Sequence, residues 1–344
     1  MGAGQTSFGL DGAQRRRAKQ SATCALIVRK KKADSEISKV RFVGIAKEAV
    51  VNIGLTLSVT ERIPDVIWIA RQAEALGFES IWVAEHPAIP VNYAHFPNSA
   101  DGRVPELWAH WPDPFISLAA AAAVTSRIKL ATGISLIPER DPIVTAKVVA
   151  SLDVLSQGRV ILGVGGGALK EETEIMGTAF QMRWKRLREN VEAMKELWTK
   201  DEASYDGELV RFPTLRSYPK PYQKPHPPVL LGAHGPKALA RVARYCEGWV
   251  PFGISPDDAR AAIATIGRLA SEAGRRLDNP DVTIMRGADG LNPELLQRYQ
   301  EAGVNRLVVP LPAEVQAPRG GVAGSEIPKQ FARLAEIAEE AQKV

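Results

Sequence analysis

Arg159-Val-Ile-Leu-Gly-Val-Gly-Gly-Gly-Ala168 runs a β-branched, apolar strand into three consecutive glycines and then into Leu169-Lys-Glu-Glu. A strand that ends in glycines ahead of a helical segment is the punctuation of a βα unit in a parallel sheet. Seven further runs read the same way: Val51 to Leu57, Ser80 to Ala84, Lys129 to Leu136, Pro228 to Leu231, Gly248 to Phe252, Val282 to Arg286 and Arg306 to Val309. Helical patterns fall between them, with Pro64, Pro114, Pro142 and Gly235-Pro236 near their starts. Other stretches span Pro256 to Ala273 and Asn292 to Ala302, the latter stopped by Gly303. Eight such units in about 250 to 300 residues fit a closed (β/α)8 barrel. An open doubly wound sheet is the rival, but it would more often divide into two domains, and no linker interrupts this body.

The charge is uneven. The chain has 344 residues, a net charge of +5 and a pI near 9.1. Residues 1–48 carry eleven Lys or Arg against four acids, which leaves 33 basic and 35 acidic residues in 49–344. The basic pI therefore belongs to the first 48 residues, and the body gives no electrostatic reason to expect a nucleic-acid partner. Residues 1–48 read as a disordered extension or an over-called start codon, with a targeting segment or a phosphate-binding arm as alternatives. No run reaches the ~18 apolar residues of a membrane span, so no membrane partner is expected. Cys24 and Cys246 fit no metal-ligand spacing, and so sparse a use of cysteine points to the cytoplasm.

Gly165, Gly166 and Gly167 let the backbone approach a ligand, and a following helix N-terminus adds about half a positive charge; together these describe a phosphate cradle. A Walker loop would need Gly-Lys-Ser/Thr, which is absent. A dinucleotide fingerprint would want an acid ~20 positions on, where the chain reads Arg183-Trp-Lys-Arg-Leu-Arg188. Taken alone, the glycines serve equally well as a structural turn closing a barrel strand.

From Val51 to about Leu311 the chain resembles the luciferase-like monooxygenase superfamily, most closely its coenzyme F420-dependent branch. The resemblance is carried by Ala75-Leu-Gly-Phe-Glu-Ser-Ile-Trp-Val-Ala-Glu-His86, Thr125-Ser-Arg-Ile-Lys-Leu-Ala-Thr-Gly-Ile134, Asp141-Pro-Ile-Val-Thr-Ala-Lys147 and Leu152-Asp-Val-Leu-Ser-Gln-Gly-Arg-Val-Ile-Leu-Gly-Val-Gly165. Leu231-Gly-Ala-His-Gly-Pro236 and Glu247-Gly-Trp-Val-Pro251 extend it. It implies a cofactor ring across the C-terminal mouth of the barrel, against a third strand whose bulge holds a non-prolyl cis peptide, here at Gly133-Ile134. The phosphate would lie between Gly165-Gly-Gly167 and the turn at His234-Gly235, with Arg183 in the same wall or else a solvated helix charge. Glu85-His86 would lie beside the ring, His86 moving a proton as a hydride passes and Glu85 binding cofactor or substrate.

Ala168 departs from the pattern. The deazaflavin alcohol and sugar dehydrogenases place a Glu there, so that arrangement of acids is not expected. The long connection from Glu85 to Asp113 carries Tyr93, His95, Phe96, Trp108, His110 and Trp111. Tyr93, Trp108 and Trp111 are the candidates to contact a small organic substrate under this insertion; the same rings could instead pack the loop onto the rim or bury a homodimer contact. The expectation is hydride transfer between F420 and that substrate. The alternatives are an FMN-dependent monooxygenase using reduced flavin and oxygen, and a non-catalytic flavin-binding relative. A phosphosugar lyase would want a lysine or paired carboxylates at strand ends, and the sequence suggests neither.

Overall fold

In the computed structural model, residues 51–311 are described apart from 59, 61–65, 98 and 100, together with part of a helical stretch at 332–339. The extension at 1–48 and the helix start at Pro64 lie outside the described residues. The strands are β1 (Asn52–Leu57), β2 (Ser80–Val83), β3 (Lys129–Thr132), β4 (Ser135–Leu136), β5 (Val160–Gly165), β6 (Ala203–Asp206), β7 (Arg211–Leu215), β8 (Val229–Leu231), β9 (Gly248–Trp249), β10 (Asp281–Met285) and β11 (Arg306–Pro310). The helices are α1 (Val66–Ala75), α2 (Pro114–Ala122), α3 (Pro142–Leu155), α4 (Lys170–Ile175), α5 (Arg183–Thr199), α6 (Pro236–Tyr245), α7 (Pro256–Glu272) and α8 (Pro293–Glu301).

Nine strands form one parallel sheet in the order β3-β2-β1-β11-β10-β9-β8-β5-β4, and β5 also pairs with β3, which closes the ring. Because β3 and β4 are two halves of one strand, this is the eight-stranded (β/α)8 barrel that the repeat count predicts. The division falls at Gly133-Ile134, whose peptide is cis. β6 and β7 form an antiparallel hairpin outside the barrel, in the connection between α5 and β8. The ninth strand is shorter than the Gly248 to Phe252 run because Pro251 has no N–H to donate to a ladder; its carbonyl still accepts from Met285.

Helix starts follow the side-chain capping logic of the sequence. Asp113 accepts from the N–H groups of Phe115 and Ile116, and Asp141 from that of Val144, each followed by proline at the first helical position. Inside the barrel, Trp82, Ala131, Ile161, Leu230, Val250 and Val308 pack with Met285, one layer drawn from nearly every strand. The larger apolar layer lies between strands and helices.

The strand starts hold an ionic network. Arg306, 2 % exposed, donates to both oxygens of Glu79 (2.6 and 2.7 Å), to Asp281 (3.0 Å) and to Thr283 (2.7 Å). Burial alone would raise the Glu79 carboxyl, but the bonds and charge of Arg306, with Lys129 alongside, outweigh it and hold it down to about 2. These groups sit at the stability end of the barrel, opposite the mouth. Glu79→Gln should cost about 3 kcal/mol at neutral pH by leaving buried charge uncompensated. Its folded-state carboxyl titrates below the ordinary value of 4.5, so the deficit should be full above that pH and shrink towards about 2. Urea unfolding of the two proteins across that range measures it.

Candidate active site

The C-terminal ends of β2, β4, β5 and β8 open on one side of the barrel, where βα loops place functional groups. Glu85 and His86 follow β2 but have separate partners. Glu85 is 4 % exposed, and both of its oxygens are engaged: Ser135 Oγ (2.5 Å) and the Leu136 N–H (2.8 Å) donate to one, Arg140 Nε (2.6 Å) to the other. The second guanidinium arm of Arg140 reaches Asp113 Oδ2 (2.5 Å), the residue that caps α2 at the end of the insertion. One carboxylate thus ties β2 to the second half of the broken strand and, through Arg140, to the insertion.

His86 Nδ1 lies 2.8 and 3.0 Å from the two oxygens of Glu172 on α4. With the proton on Nδ1 facing that carboxylate, Nε2 is the nitrogen left without a protein partner among the described residues. The ring stacks on Trp108 (centroids 5.1 Å, interplanar 17°) and lies 5.6 Å from Trp111; the two indoles stack at 5.0 Å. Phe96 meets Trp108 edge-on at 5.4 Å. Tyr93 faces inward within the insertion: its hydroxyl accepts from the Val104 N–H (2.9 Å), and it packs with Phe96, Val104, Leu169 and Ala168. Trp108 thus packs the insertion and also covers His86.

A third carboxyl completes the group. Glu139, 5 % exposed, accepts from Thr173 Oγ1 (3.0 Å) with one oxygen and has no partner for the other. Burial first, then the charges of Glu172 and Glu85, push its carboxyl up to about 8, against the pull of Thr173 and Arg140. The sequence expectation of no paired carboxylates at strand ends is corrected here. Glu85 follows β2, Glu139 ends the short turn after β4 and Glu172 lies on α4; barrel closure brings the three together, a proximity with no local sequence pattern.

The glycines after β5 each have a reason. Ile134, directly after the cis peptide, wedges its side chain against Gly165 and Gly232, where a Cβ on either would collide with its terminal carbons. Gly166 lies under the Trp184 ring, and Gly167 has a φ of +76°, a conformation that favours glycine. No protein acceptor among the described residues meets the N–H groups of Gly166, Gly167 or Ala168. Beside them Gly232 donates to Val164 O, so the turn at His234 and Gly235 opens next to the glycines, with Gly235 (φ +80°) leading into α6. His234 Nε2 accepts from the Phe252 N–H (3.1 Å). Arg183 is half-buried over the Phe180 ring (3.7 Å) and donates to Phe180 O (2.8 Å). Its Nε has no acceptor, and burial together with nearby Arg241 lowers its guanidinium from the ordinary value. Open N–H groups, a helix start and an underused arginine form a surface that fits a phosphate.

The luciferase-like monooxygenase model matches residues 48–288. The chain belongs to that family. An uncharacterised protein of Mycobacterium tuberculosis is 39 % identical over 264 residues, spanning 75 % of this chain and 91 % of the relative. Among solved structures, an F420-dependent secondary alcohol dehydrogenase in complex with an F420–acetone adduct aligns with a TM-score of 0.64 at 17 % identity, over 85 % of this chain and 99 % of that one. The oxygenating constituent of 3,6-diketocamphane monooxygenase from Pseudomonas putida, in complex with FMN, aligns at 0.55 and 19 %, over 69 % and 66 %. One solved neighbour is F420-dependent and the other holds FMN, and both share this barrel. Among the described residues no helix is long and apolar enough to cross a membrane.

Arg140, Glu139 and Glu172 are site residues that sequence reasoning missed. Arg140 lies one residue before the capped Asp141-Pro142, and Glu172 in the charge run Lys170-Glu-Glu, where it reads as a solvated helix face. Because the Glu139 carboxyl titrates higher folded than unfolded, its contribution is full below about 4.5 and lost as pH rises through about 8. The stability of the wild type relative to Glu139→Gln should therefore fall between those values, by about 1.4 kcal/mol per pH unit at most. Chemical denaturation at a series of pH values reads this directly.

Proposed function

We propose that the chain is a deazaflavin-dependent oxidoreductase that passes a hydride between coenzyme F420 and a small organic substrate beneath the insertion, with His86 moving the accompanying proton. The observation that carries this reading is the pairing of His86 Nδ1 with buried Glu172 under two stacked indoles, at the same end of the barrel as the open N–H groups after β5. Gly165, Gly166 and Gly167, with the turn at His234 and Gly235 and with Arg183, would hold the phosphate. Gly133 and Ile134 would support the ring. F420, when bound, supplies a two-electron hydride carrier.

The residues of the chain do the rest. Glu172 orients the imidazole so that Nε2 remains to give or take a proton at the substrate oxygen or nitrogen. Trp108 and Trp111 exclude water around it and offer an apolar wall to the substrate, while Tyr93 holds the insertion in shape. Glu85 is a positioning residue, because both of its oxygens are spent on Ser135, Leu136 and Arg140. Ala168 packs among apolar side chains, so no second acid stands at that position and proton handling falls to His86.

The test titrates the purified chain separately with F420 and FMN, following fluorescence quenching. Tight F420 binding is expected; binding of FMN alone would instead support a flavin monooxygenase, and binding of neither a non-catalytic relative. Against a substrate that the enzyme turns over, His86→Ala should lower kcat by roughly 10² to 10⁴ while F420 affinity changes little. Glu172→Gln should lower kcat less, by releasing the ring. An unchanged kcat for His86→Ala removes the proton role.

A further inference from the structure

Of the three carboxyls at the mouth, Glu139 alone has no task in hydride transfer. It closes the short turn after β4, and a Cβ on Gly167 would stand 3.0 Å from its Oε1 and 2.8 Å from Thr173 Oγ1. The carboxyl therefore lies directly behind a cradle glycine whose N–H is open. Its Oε2 is buried and has no hydrogen-bond partner. As a carboxylate, Glu139 would hold a bare charged oxygen away from water, which is costly. As an acid it is better served: Oε1–H donates to Thr173 Oγ1 (3.0 Å), that hydroxyl donates to Leu169 O (3.1 Å), and only a carbonyl oxygen stays bare.

The surrounding groups favour the acid as well. Glu172 on α4 and Glu85 after β2 bring negative charge, and the nearby cations are engaged by other acids. Arg140 binds Glu85 and Asp113, and His86 pairs with Glu172. Asn190 of α5 spends its amide N–H groups on the carbonyls of Ile137 and Arg140. Burial first, then Glu172 and Glu85, push the Glu139 carboxyl up to about 8. A phosphate on the N–H groups of Gly166 and Gly167 would add one more negative charge on the other side of the glycine backbone. Like charges so placed oppose each other's ionised forms, and the weaker acid gives way by keeping its proton. A phosphate monoester loses its second proton near about 6, so the proton stays on Glu139.

We infer that Glu139 is a proton-linked gate on the phosphate cradle: as a neutral acid it admits an anion at Gly166 and Gly167, and as a carboxylate it repels one. The inference rests on the cradle reading above and gives the buried acid a part in cofactor binding. Linkage makes the coupling reciprocal, so a bound phosphate holds the proton on Glu139 to higher pH and binding takes up a proton where the free protein has lost it. Because the two charges are buried, added salt screens the effect only weakly.

The experiment measures the affinity of the full chain for F420 and for FMN by fluorescence quenching between about pH 6.5 and 9.5. For whichever binds, affinity should hold up to about 8 and then fall, by at most about tenfold per pH unit for one linked proton. Glu139→Gln, which keeps the shape of the neutral acid, should retain its low-pH affinity to the top of the range; a thermal melt at each pH checks that it is folded. Calorimetry of the same binding near about pH 8.5, in two buffers of different ionisation enthalpy, should show proton uptake by the wild type and none by the variant. A merely structural role for Glu139 would move neither the inflection nor the proton count. If wild-type affinity is level through about 8, or the variant falls in parallel with it, the gate is overturned while the cradle stands. If neither cofactor binds at any pH, the cradle reading falls and the gate with it.

Discussion

The mouth of the barrel is assembled around the carboxylate of Glu85. At 4 % exposure it could not stay charged unpaired, and it is met by a hydroxyl, a backbone N–H and a guanidinium. Hydrogen bonds to a charged group are worth about 1.5 to 3 kcal/mol each, and removal of the carboxylate would strand the buried side of Arg140. What these bonds hold is the broken third strand. β3 and β4 flank Gly133-Ile134, and the side chain of Ile134 then occupies space that Gly165 and Gly232 leave open. Gly165 and Gly232 therefore seat Ile134, while Gly166 and Gly167, just past the end of β5, leave their N–H groups open.

The imidazole of His86 is placed beside this scaffold by charge balance. Three carboxyls meet one imidazole and one guanidinium in a site largely closed to water. Glu85 is paired with Arg140, Glu172 with His86, and Glu139, lacking a cation of its own, is pushed to its neutral form by burial and by the other two. Of the three, only Glu172 touches the group suited to general acid–base work. The indoles of Trp108 and Trp111 cover that group from the insertion, so the insertion both orders the imidazole and shapes the space above it.

Much of the fold was legible in the residues because its punctuation is local. Proline starts with Asp, Ser or Asn caps mark α2, α3, α7 and α8, and eight apolar runs of strand length could close in only a few ways. The division of the third strand was not legible from Lys129 to Leu136, which reads as one run; only the family resemblance pointed to Gly133-Ile134. At the site, His86 and the glycines were visible as motifs, whereas Glu139, Arg140 and Glu172 were not. Their proximity arises from the order β2-β3-β5 around the barrel, and nothing in the spacing of Glu85, Glu139 and Glu172 encodes it. Nor does the sequence show that the Tyr93 hydroxyl is engaged by the backbone of its own insertion.

The central claim is that one molecule of deazaflavin lies across this mouth, its phosphate on the glycines after β5 and its ring between Ile134 and His86. A crystal structure of the chain with F420 tests it most directly. The account predicts phosphate oxygens within about 3 Å of the Gly166 and Gly167 N–H groups and the ring within reach of His86 Nε2. A phosphate bound elsewhere, or a ring seated away from His86, would contradict it.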